Sequence, residues 1–102
     1  MELRWVWTWS GRCFGYWDGD DLWALTGRHV GRRRGSDVFS PTGRYVGEIM
    51  SNGRLITNKA KAGITGISFK PSAVREAQPG PKDSSALLTY RGYQDFPYHE
   101  DL

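Results

Sequence analysis

The hydrophobic and polar positions of this chain repeat every 16 residues over its first two thirds. Each copy begins with a short run of aromatic and β-branched residues, which leads into a turn such as Ser-Gly or Thr-Gly. A second short run follows, and it ends in a turn such as Asp18-Gly19 or Asn52-Gly53. Short runs of this kind separated by glycine turns predict β-hairpins. The shared glycines stand at Gly11, Gly27 and Gly43 and again at Gly15, Gly31 and Gly47.

Four such copies predict one all-β domain made of tandem hairpins of about 16 residues. The copies cover about residues 6–21, 22–37, 38–53 and 54–69, and the fourth copy is the most degraded. An isolated hairpin is only marginally stable in water, so the copies need a common core. We therefore expect a pseudo-four-fold arrangement of hairpins around a shared aromatic core.

The core residues follow from the alternation of side chains along a strand, which places every second residue on the same face. On this basis the large apolar residues of the first strands form a central ring, and the apolar residues of the second strands form another. The predicted central ring consists of Trp7, Trp23, Phe39 and Leu55, and the predicted second ring consists of Phe14, Val30 and Val46.

The last third of the chain is less regular than the repeats. Residues 70–85 hold three prolines among serine, lysine and aspartate residues, and this composition predicts a loop or linker. Residues 86–102 begin with an apolar run, which we expect to dock back on the repeat domain as a strand or a short helical turn.

Four segments of the chain carry motifs of a known group of proteins. They are Asp20-Asp21-Leu22-Trp23, Thr26-Gly27-Arg28-His29-Val30-Gly31, Arg54-Leu55-Ile56-Thr57-Asn58 and Tyr93-Gln94-Asp95-Phe96-Pro97. In these motifs the chain resembles the four-fold β-flower family of small bacterial proteins. The resemblance covers roughly residues 5–66 and, through its last motif, part of the C-terminal segment. It implies a pseudo-four-fold arrangement of hairpins and a bacterial source, and it implies no particular activity.

Length, cysteine content and charge limit the class of protein. The 102 residues have room for one domain, and a single cysteine, Cys13, excludes an internal disulfide, which favours a reducing, cytoplasmic location. No stretch approaches the ~20 apolar residues of a membrane span, so we expect a soluble protein without membrane contact. Residues 1–70 hold 11 basic and 6 acidic side chains, whereas residues 71–102 hold 3 and 5. The repeat block is therefore mildly basic.

An arginine follows the turn glycine in three of the copies, as Arg12, Arg28 and Arg44. If the copies surround a common axis, the three guanidinium groups lie on one face and attract an anion such as phosphate or a carboxylate. The alternative is that each arginine is simply solvated, which is the commoner situation for this residue type.

The densest group of charges is Arg32, Arg33 and Arg34, which lies at a predicted turn. Three adjacent cations can contact a nucleic-acid backbone. Against this, charged turns are usually no more than solvated, and the carboxylates of Asp20 and Asp21 are close in sequence. A nucleic-acid partner is therefore the weaker interpretation.

Residues able to support catalysis or bind a metal are few. The positions directly after these arginines form a second column of equivalent residues in the four copies, namely Cys13, His29, Tyr45 and Lys61. One cysteine with one histidine falls short of a tetrahedral metal site. The acidic stretch 18–21 lacks the glycine and glutamate spacing of a helix-loop-helix calcium site. We therefore predict no catalytic residue, no metal and no cofactor.

These observations favour a non-catalytic binding or scaffold module whose partner is unknown. Binding of another protein or self-association is the expected mode, because hairpin edges readily pair with a second chain. The second hypothesis is an anion or nucleic-acid binder that uses Arg12, Arg28, Arg44 and the cluster at 32–34. The third is an enzyme with a dispersed site, which would require a perturbed titratable group such as His29 or Cys13 in a pocket.

Overall fold

The computed structural model describes residues 4–98 and 102 of the chain. Within these residues the fold is all-β, with eight strands, one 3-10 turn and no α-helix. No helix in this part of the chain is long and apolar enough to cross a membrane. The elements are β1 (Arg4–Thr8), β2 (Cys13–Asp18), β3 (Asp21–Ala24), β4 (His29–Arg34), β5 (Asp37–Phe39), β6 (Tyr45–Ile49), β7 (Arg54–Asn58), the 3-10 turn (Lys59–Lys61) and β8 (Tyr93–Asp95).

Strands β1 to β7 form a closed barrel. Each strand is antiparallel to the next one along the chain, so the sheet is a simple meander. An odd number of strands in a meander leaves the first and the last running in the same direction. The pair that closes the barrel is accordingly parallel, with Trp7 opposite Arg54 and Thr8 opposite Leu55. Closure pairs strand edges that an open sheet would leave exposed.

The fourth copy contributes one strand instead of the predicted hairpin. After β7 the chain forms the 3-10 turn and leaves the barrel. The first three copies place Gly11, Gly27 and Gly43 at positive φ in their turns, whereas the fourth copy has Lys59 at the corresponding position. A residue with a Cβ does not readily adopt that conformation, and the side chain of Asn58 instead caps the 3-10 turn.

Strand β8 lies on the part of the β7 edge that β1 leaves unpaired. It runs antiparallel to β7, with Ile56 opposite Asp95. The next residue, Phe96, is buried, and its ring centroid lies 5.4 Å from that of Phe14 in the barrel. The hydroxyl of Tyr98 donates to the carbonyl oxygen of Cys13. The described part of 86–102 therefore contacts the barrel, and its strand lies at 93–95 rather than in the apolar run at 86–90.

The buried core of the barrel is mainly aliphatic. It contains all three residues of the predicted second ring and Leu55 of the predicted central ring. In place of the other three members of the central ring, it contains the residue that precedes each of them in the sequence. The core cluster consists of Val6, Phe14, Trp17, Leu22, Ala24, Val30, Val38, Val46, Leu55 and Phe96.

The predicted central ring is thus displaced in three of its four members. Trp7, Trp23 and Phe39 lie outside the core cluster, and the residue before each of them lies inside it, whereas Leu55 belongs to the cluster as expected. Because successive side chains of a strand point to opposite faces, the aromatic side chains of Trp7, Trp23 and Phe39 lie on the outer face of the barrel. A seven-strand barrel is narrow, and aliphatic side chains fill most of its interior.

Residues 62–92, which we call the strap, run around the outside of the barrel and contain no strand. At each of three turns, one strap N–H donates to the carbonyl of the turn glycine, and a second N–H, three residues later, donates to the carbonyl two residues before that glycine. From one turn to the next the donors advance by nine residues while the acceptors go back by 16. The pairs are Gly66 to Gly43 and Phe69 to Pro41, Arg75 to Gly27 and Gln78 to Leu25, and Ser84 to Gly11 and Leu87 to Trp9.

The strap covers aromatic rings on the outer face of the barrel. The indole Nε1 of Trp7 donates to the carbonyl oxygen of Lys82 at 2.9 Å. Trp23 is buried, and the guanidinium carbon of Arg75 lies 3.7 Å from its ring centroid. Residues 70–85, predicted to be a loop or linker, have no regular secondary structure, yet they lie along the barrel rather than apart from it.

Candidate functional site

The three arginines that follow the turn glycines are all exposed, and the structure separates one of them from the other two. The guanidinium carbon of Arg12 lies over the ring of Tyr98, 3.5 Å from its centroid. Arg28 and Arg44 instead line one cavity. The predicted column thus brings together two of its three members, and these two belong to neighbouring copies.

The Arg28–Arg44 cavity has a volume of about 370 Å³. Its walls come from the start of β4, from the turn between β5 and β6, and from the strap. Its polar lining residues include Arg28, Arg44, Ser40, Thr42 and Ser72, and its apolar lining residues are Val30, Pro41, Pro71, Val74 and Leu102.

The positive charges of this cavity are uncompensated within the described residues. Neither Arg28 nor Arg44 has a carboxylate within ion-pair distance in that part of the chain. The described pairs are Asp18–Arg75, Asp20–Arg33, Asp21–His29, Asp21–Arg32, Asp37–Lys61 and Glu48–Lys61. Two guanidinium groups at one concave surface favour the binding of an anion.

His29 fixes the strap wall of the cavity. Its Nδ1 accepts a hydrogen bond from the backbone N–H of Ser72 at 2.9 Å, and its Nε2 lies 3.0 Å from Oδ1 of Asp21. Because Nδ1 is an acceptor, the neutral ring carries its proton on Nε2 and donates it to Asp21. The ring lies between those of Trp23 and Phe69, with both centroid distances at 4.9 Å. Both nitrogens are occupied, so His29 supports the strap and has no nitrogen left for a substrate.

Of the other members of the column that contains His29, Tyr45 and Lys61 meet at Glu48, to which the Tyr45 hydroxyl donates and from which Nζ of Lys61 lies 3.5 Å away. Cys13 is buried, and this burial, reinforced by the charge of Asp83, raises the pKa of its thiol. Burial also raises the pKa of Tyr45 to about 12. A hydrogen bond to Asp37 raises the pKa of Lys61.

Metal-binding side chains are dispersed in the described part of the chain, where no three of them are grouped. The acidic stretch 18–21, considered above for calcium, directs its carboxylates to cationic side chains. Asp18 pairs with Arg75, and Asp21 accepts from both His29 and Arg32. These pairs occupy oxygens that a calcium ion would require.

A second and smaller cavity, of about 270 Å³, lies beside the arginine cluster at 32–34. It is lined by Arg32, Arg33, Arg34, Phe39 and Ile67. Arg32 pairs with Asp21 at the start of β3, and Arg33 pairs with Asp20 in the turn before it. The side chain of Arg34 has no partner among the described residues, and Ile67 is 77% exposed. This cavity therefore combines one uncompensated charge with exposed apolar surface.

Sequence reasoning missed the strap residues that complete both cavities, among them Ser72 and Val74. The composition of 70–85 is typical of an irregular segment, but composition carries no information about where such a segment lies. One signal was present in the sequence. Val74, which lies within 70–85, is an apolar residue of a kind that is unusual in a linker wholly surrounded by water.

Comparison with protein-family models finds no match to this chain, and searches among curated proteins and among solved structures find none either. The resemblance to the four-fold β-flower family therefore rests on the sequence motifs described above.

Proposed function

We propose that this protein is a non-catalytic binding module that holds an anionic ligand in the Arg28–Arg44 cavity. The observation that carries the proposal is the cavity itself, where two guanidinium groups without a carboxylate partner among the described residues share one concave surface. Guanidinium groups bind carboxylates and phosphates through paired, charge-assisted hydrogen bonds. The hydroxyl of Ser72 supplies a further donor to such a ligand, and the hydrogen-bonded pair of Ser40 and Thr42 retains one more.

The cavity has the general character of a small-molecule site. Its volume of about 370 Å³ falls within the range of roughly 300–1,000 Å³ that is usual for ligand pockets. Such pockets are mostly apolar and contain a few polar groups that fix the orientation of the ligand. Pro41, Pro71 and Val74 provide the apolar surface here, and Arg28 and Arg44 provide the orienting charges.

Two contacts support the proposal that the module is not an enzyme. His29, which lines the cavity, is engaged at both ring nitrogens by Asp21 and by the N–H of Ser72. The thiol of Cys13 is buried, and its raised pKa disfavours the reactive thiolate. A general base or a nucleophile requires the opposite situation, with an accessible group whose pKa suits its task.

Calorimetric titration with inorganic phosphate at low ionic strength tests this function. Wild-type protein should bind the ion, and Arg28→Gln and Arg44→Gln should each weaken binding by about tenfold or more, since a charge-assisted hydrogen bond contributes roughly 1.5–3 kcal/mol. Arg12→Gln is the matched control, because it removes the same charge from the same column at a position outside the cavity. Equal losses of phosphate affinity in all three variants would show that binding depends only on the net charge of the protein.

The second candidate function is contact with a nucleic-acid backbone at the arginine cluster at 32–34. It is favoured by the uncompensated Arg34 beside the exposed Ile67 and the ring of Phe39. Fluorescence anisotropy with a labelled oligonucleotide should then show binding that weakens steeply with salt and is reduced in Arg34→Gln. A flat salt response would exclude this function.

The same barrel supports a proposal about the origin of its repeat. We propose that its seven strands derive from four copies of one hairpin, of which the last has kept only its first strand. The turn glycines of the first three copies support this, since they have φ values of 96°, 91° and 86° at a spacing of 16 residues. Register shifts after Val6, Leu22 and Val38 recur at the same spacing. Membership of the β-flower family is proposed on the same basis.

A further inference from the structure

We infer that the Arg28–Arg44 cavity selects amphipathic carboxylates, that is, small anions with an aliphatic body. This inference rests on the proposed function and names the class of ligand for the same site. It requires that the cavity offer hydrocarbon a place to bind, in addition to offering charge to an anion.

The apolar wall of the cavity is exposed to solvent. Val74 is 70% exposed, and it lines the cavity together with Pro41 and Pro71. Aliphatic surface of this kind gains free energy when a ligand removes it from water. Inorganic phosphate or acetate would satisfy the arginines and leave this surface wet, whereas an anion with a hydrocarbon body would cover it.

The wall is also held in place before any ligand arrives. Two residues before Val74, the N–H of Ser72 donates to Nδ1 of His29, and one residue after it, the N–H of Arg75 donates to the carbonyl of Gly27. Hydrogen bonds on both sides of Val74 restrict the backbone that carries it. Pro71 and Pro41 also belong to the wall, and the pyrrolidine ring of each restricts the backbone φ of its own residue. A pre-ordered wall lowers the entropic cost of binding, and it therefore favours selection by shape.

The charge of the cavity favours a carboxylate as the head group. A guanidinium presents its N–H groups as a planar fork that matches the two oxygens of a carboxylate. Arg28 lies in the turn before β4 and Arg44 in the turn before β6, so both belong to the barrel, whereas Val74 lies on the strap. The head group is thus expected to bind the barrel and the aliphatic body to contact the strap.

The experiment is a titration of the full chain with the sodium salts of acetate, butanoate, hexanoate and octanoate, and with hexanol as the uncharged probe. Each buried methylene contributes about fourfold in affinity, so affinity should rise by about fourfold per carbon until the cavity is filled. Arg28→Gln and Arg44→Gln should weaken octanoate binding by about tenfold or more. Hexanol should bind far more weakly than hexanoate.

A strap variant separates the aliphatic contact from the charge. Val74→Ser should reduce octanoate affinity by about fivefold or more, and this loss should be larger than any change in phosphate affinity. Val74 is largely exposed, so this substitution is not expected to affect folding. Ala73→Ser is the matched control, since Ala73 is exposed and does not line the cavity.

The outcomes distinguish the inference from the function on which it rests. Affinity that rises with chain length and falls in Val74→Ser supports both. Phosphate and acetate that bind through Arg28 and Arg44, with no gain for longer chains, would overturn the inference and leave the proposed function standing. Equal binding of hexanol and hexanoate would also overturn it. An absence of binding by every anion would overturn both.

Discussion

The backbone carbonyl of Arg75 occupies the space beside Gly27 in which any other residue would carry its Cβ. Gly11 stands in the same relation to the carbonyl of Ser84, and Gly43 to the carbonyl of Gly66. All three turn glycines also have a positive φ. Each therefore meets two requirements at once, because it closes the turn of its hairpin and leaves room for the strap to pass.

Gly27→Ala is expected to destabilise the protein more than Gly35→Ala. Gly27 has a φ of 91° and Gly35 a φ of 63°, so both substitutions force an alanine into the left-handed region at a cost of roughly 1–2 kcal/mol. A Cβ at Gly27 also collides with the backbone of Arg75, whereas no described atom outside its immediate chain neighbours lies within 4 Å of a Cβ at Gly35. Urea unfolding should show an additional loss of about 1 kcal/mol or more for Gly27→Ala. Equal losses would mean that the strap moves aside without cost.

His29→Phe is expected to loosen the strap at the cavity and to leave it bound elsewhere. The substituted ring can still pack between its aromatic neighbours, but it offers no acceptor to the N–H of Ser72, so a hydrogen bond that contributes roughly 0.5–1.5 kcal/mol is lost. Amide hydrogen exchange should therefore become faster at Ser72. The amide of Ser84, which donates to the carbonyl of Gly11, is the internal control and should keep its protection. Equal acceleration at both amides would contradict a local role for His29.

Tyr45 is expected to limit stability at high pH. Burial raises its pKa from 10.0 to about 12, so the fold favours the neutral phenol. This contribution is complete below pH 10 and is lost as the pH rises from 10 towards 12, because the unfolded chain ionises first. The free energy of unfolding should fall by up to about 1.4 kcal/mol per pH unit in this window.

The control for this prediction is Tyr45→Phe, which removes the ionisable group. This variant should be less stable at neutral pH, because the Tyr45 hydroxyl donates to Glu48 and accepts from the N–H of Asn58. It should also lose less stability than wild type between pH 10 and about 12. Ultraviolet absorbance of tyrosinate should show one transition near pH 12 in wild type that the variant lacks. Parallel stability curves would refute the assignment.

Cys13 is expected to react slowly with a chromogenic thiol reagent in the native protein and rapidly once the protein is unfolded. Burial and the charge of Asp83 raise the pKa of the thiol, so less of the reactive thiolate is present at a given pH. Asp83→Asn removes the charge and keeps an acceptor for the N–H of Cys13, and it should increase the native rate by about two- to tenfold. Asp95→Asn is the matched control, since Asp95 likewise accepts from a barrel N–H, that of Ser10. The same rate in both variants would exclude the electrostatic effect.

The periodicity of the sequence predicts most strands and turns of the first three copies, although Arg32–Arg34, predicted at a turn, form the end of β4. Glycine, β-branched and aromatic residues act locally, and their spacing sets where a hairpin turns. The direction in which each side chain points was harder to predict. Leu22 and Trp23 are neighbours that point to opposite faces, and only Leu22 belongs to the core cluster, although both are apolar enough for either position. Residue type alone does not distinguish them.

The candidate site was predictable only in its barrel half. The spacing of Arg28 and Arg44 indicates that two guanidinium groups occupy equivalent places in successive hairpins. The other half of the cavity comes from Ser72 and Val74 in the strap, which reaches this place through backbone hydrogen bonds. Backbone N–H and carbonyl groups are common to nearly all residue types, so these contacts leave no trace in the sequence.

The strap meets the three hairpins in the reverse of their order along the chain, from Gly43 to Gly27 to Gly11. In a linear array each repeat contacts only its neighbours, and such arrays can lose their repeats one at a time. Here every hairpin is also bound by a segment from the other end of the sequence, and β1 is paired with β7. Detaching one hairpin removes support from the other two. A chain with a periodic sequence should therefore melt in a single cooperative transition.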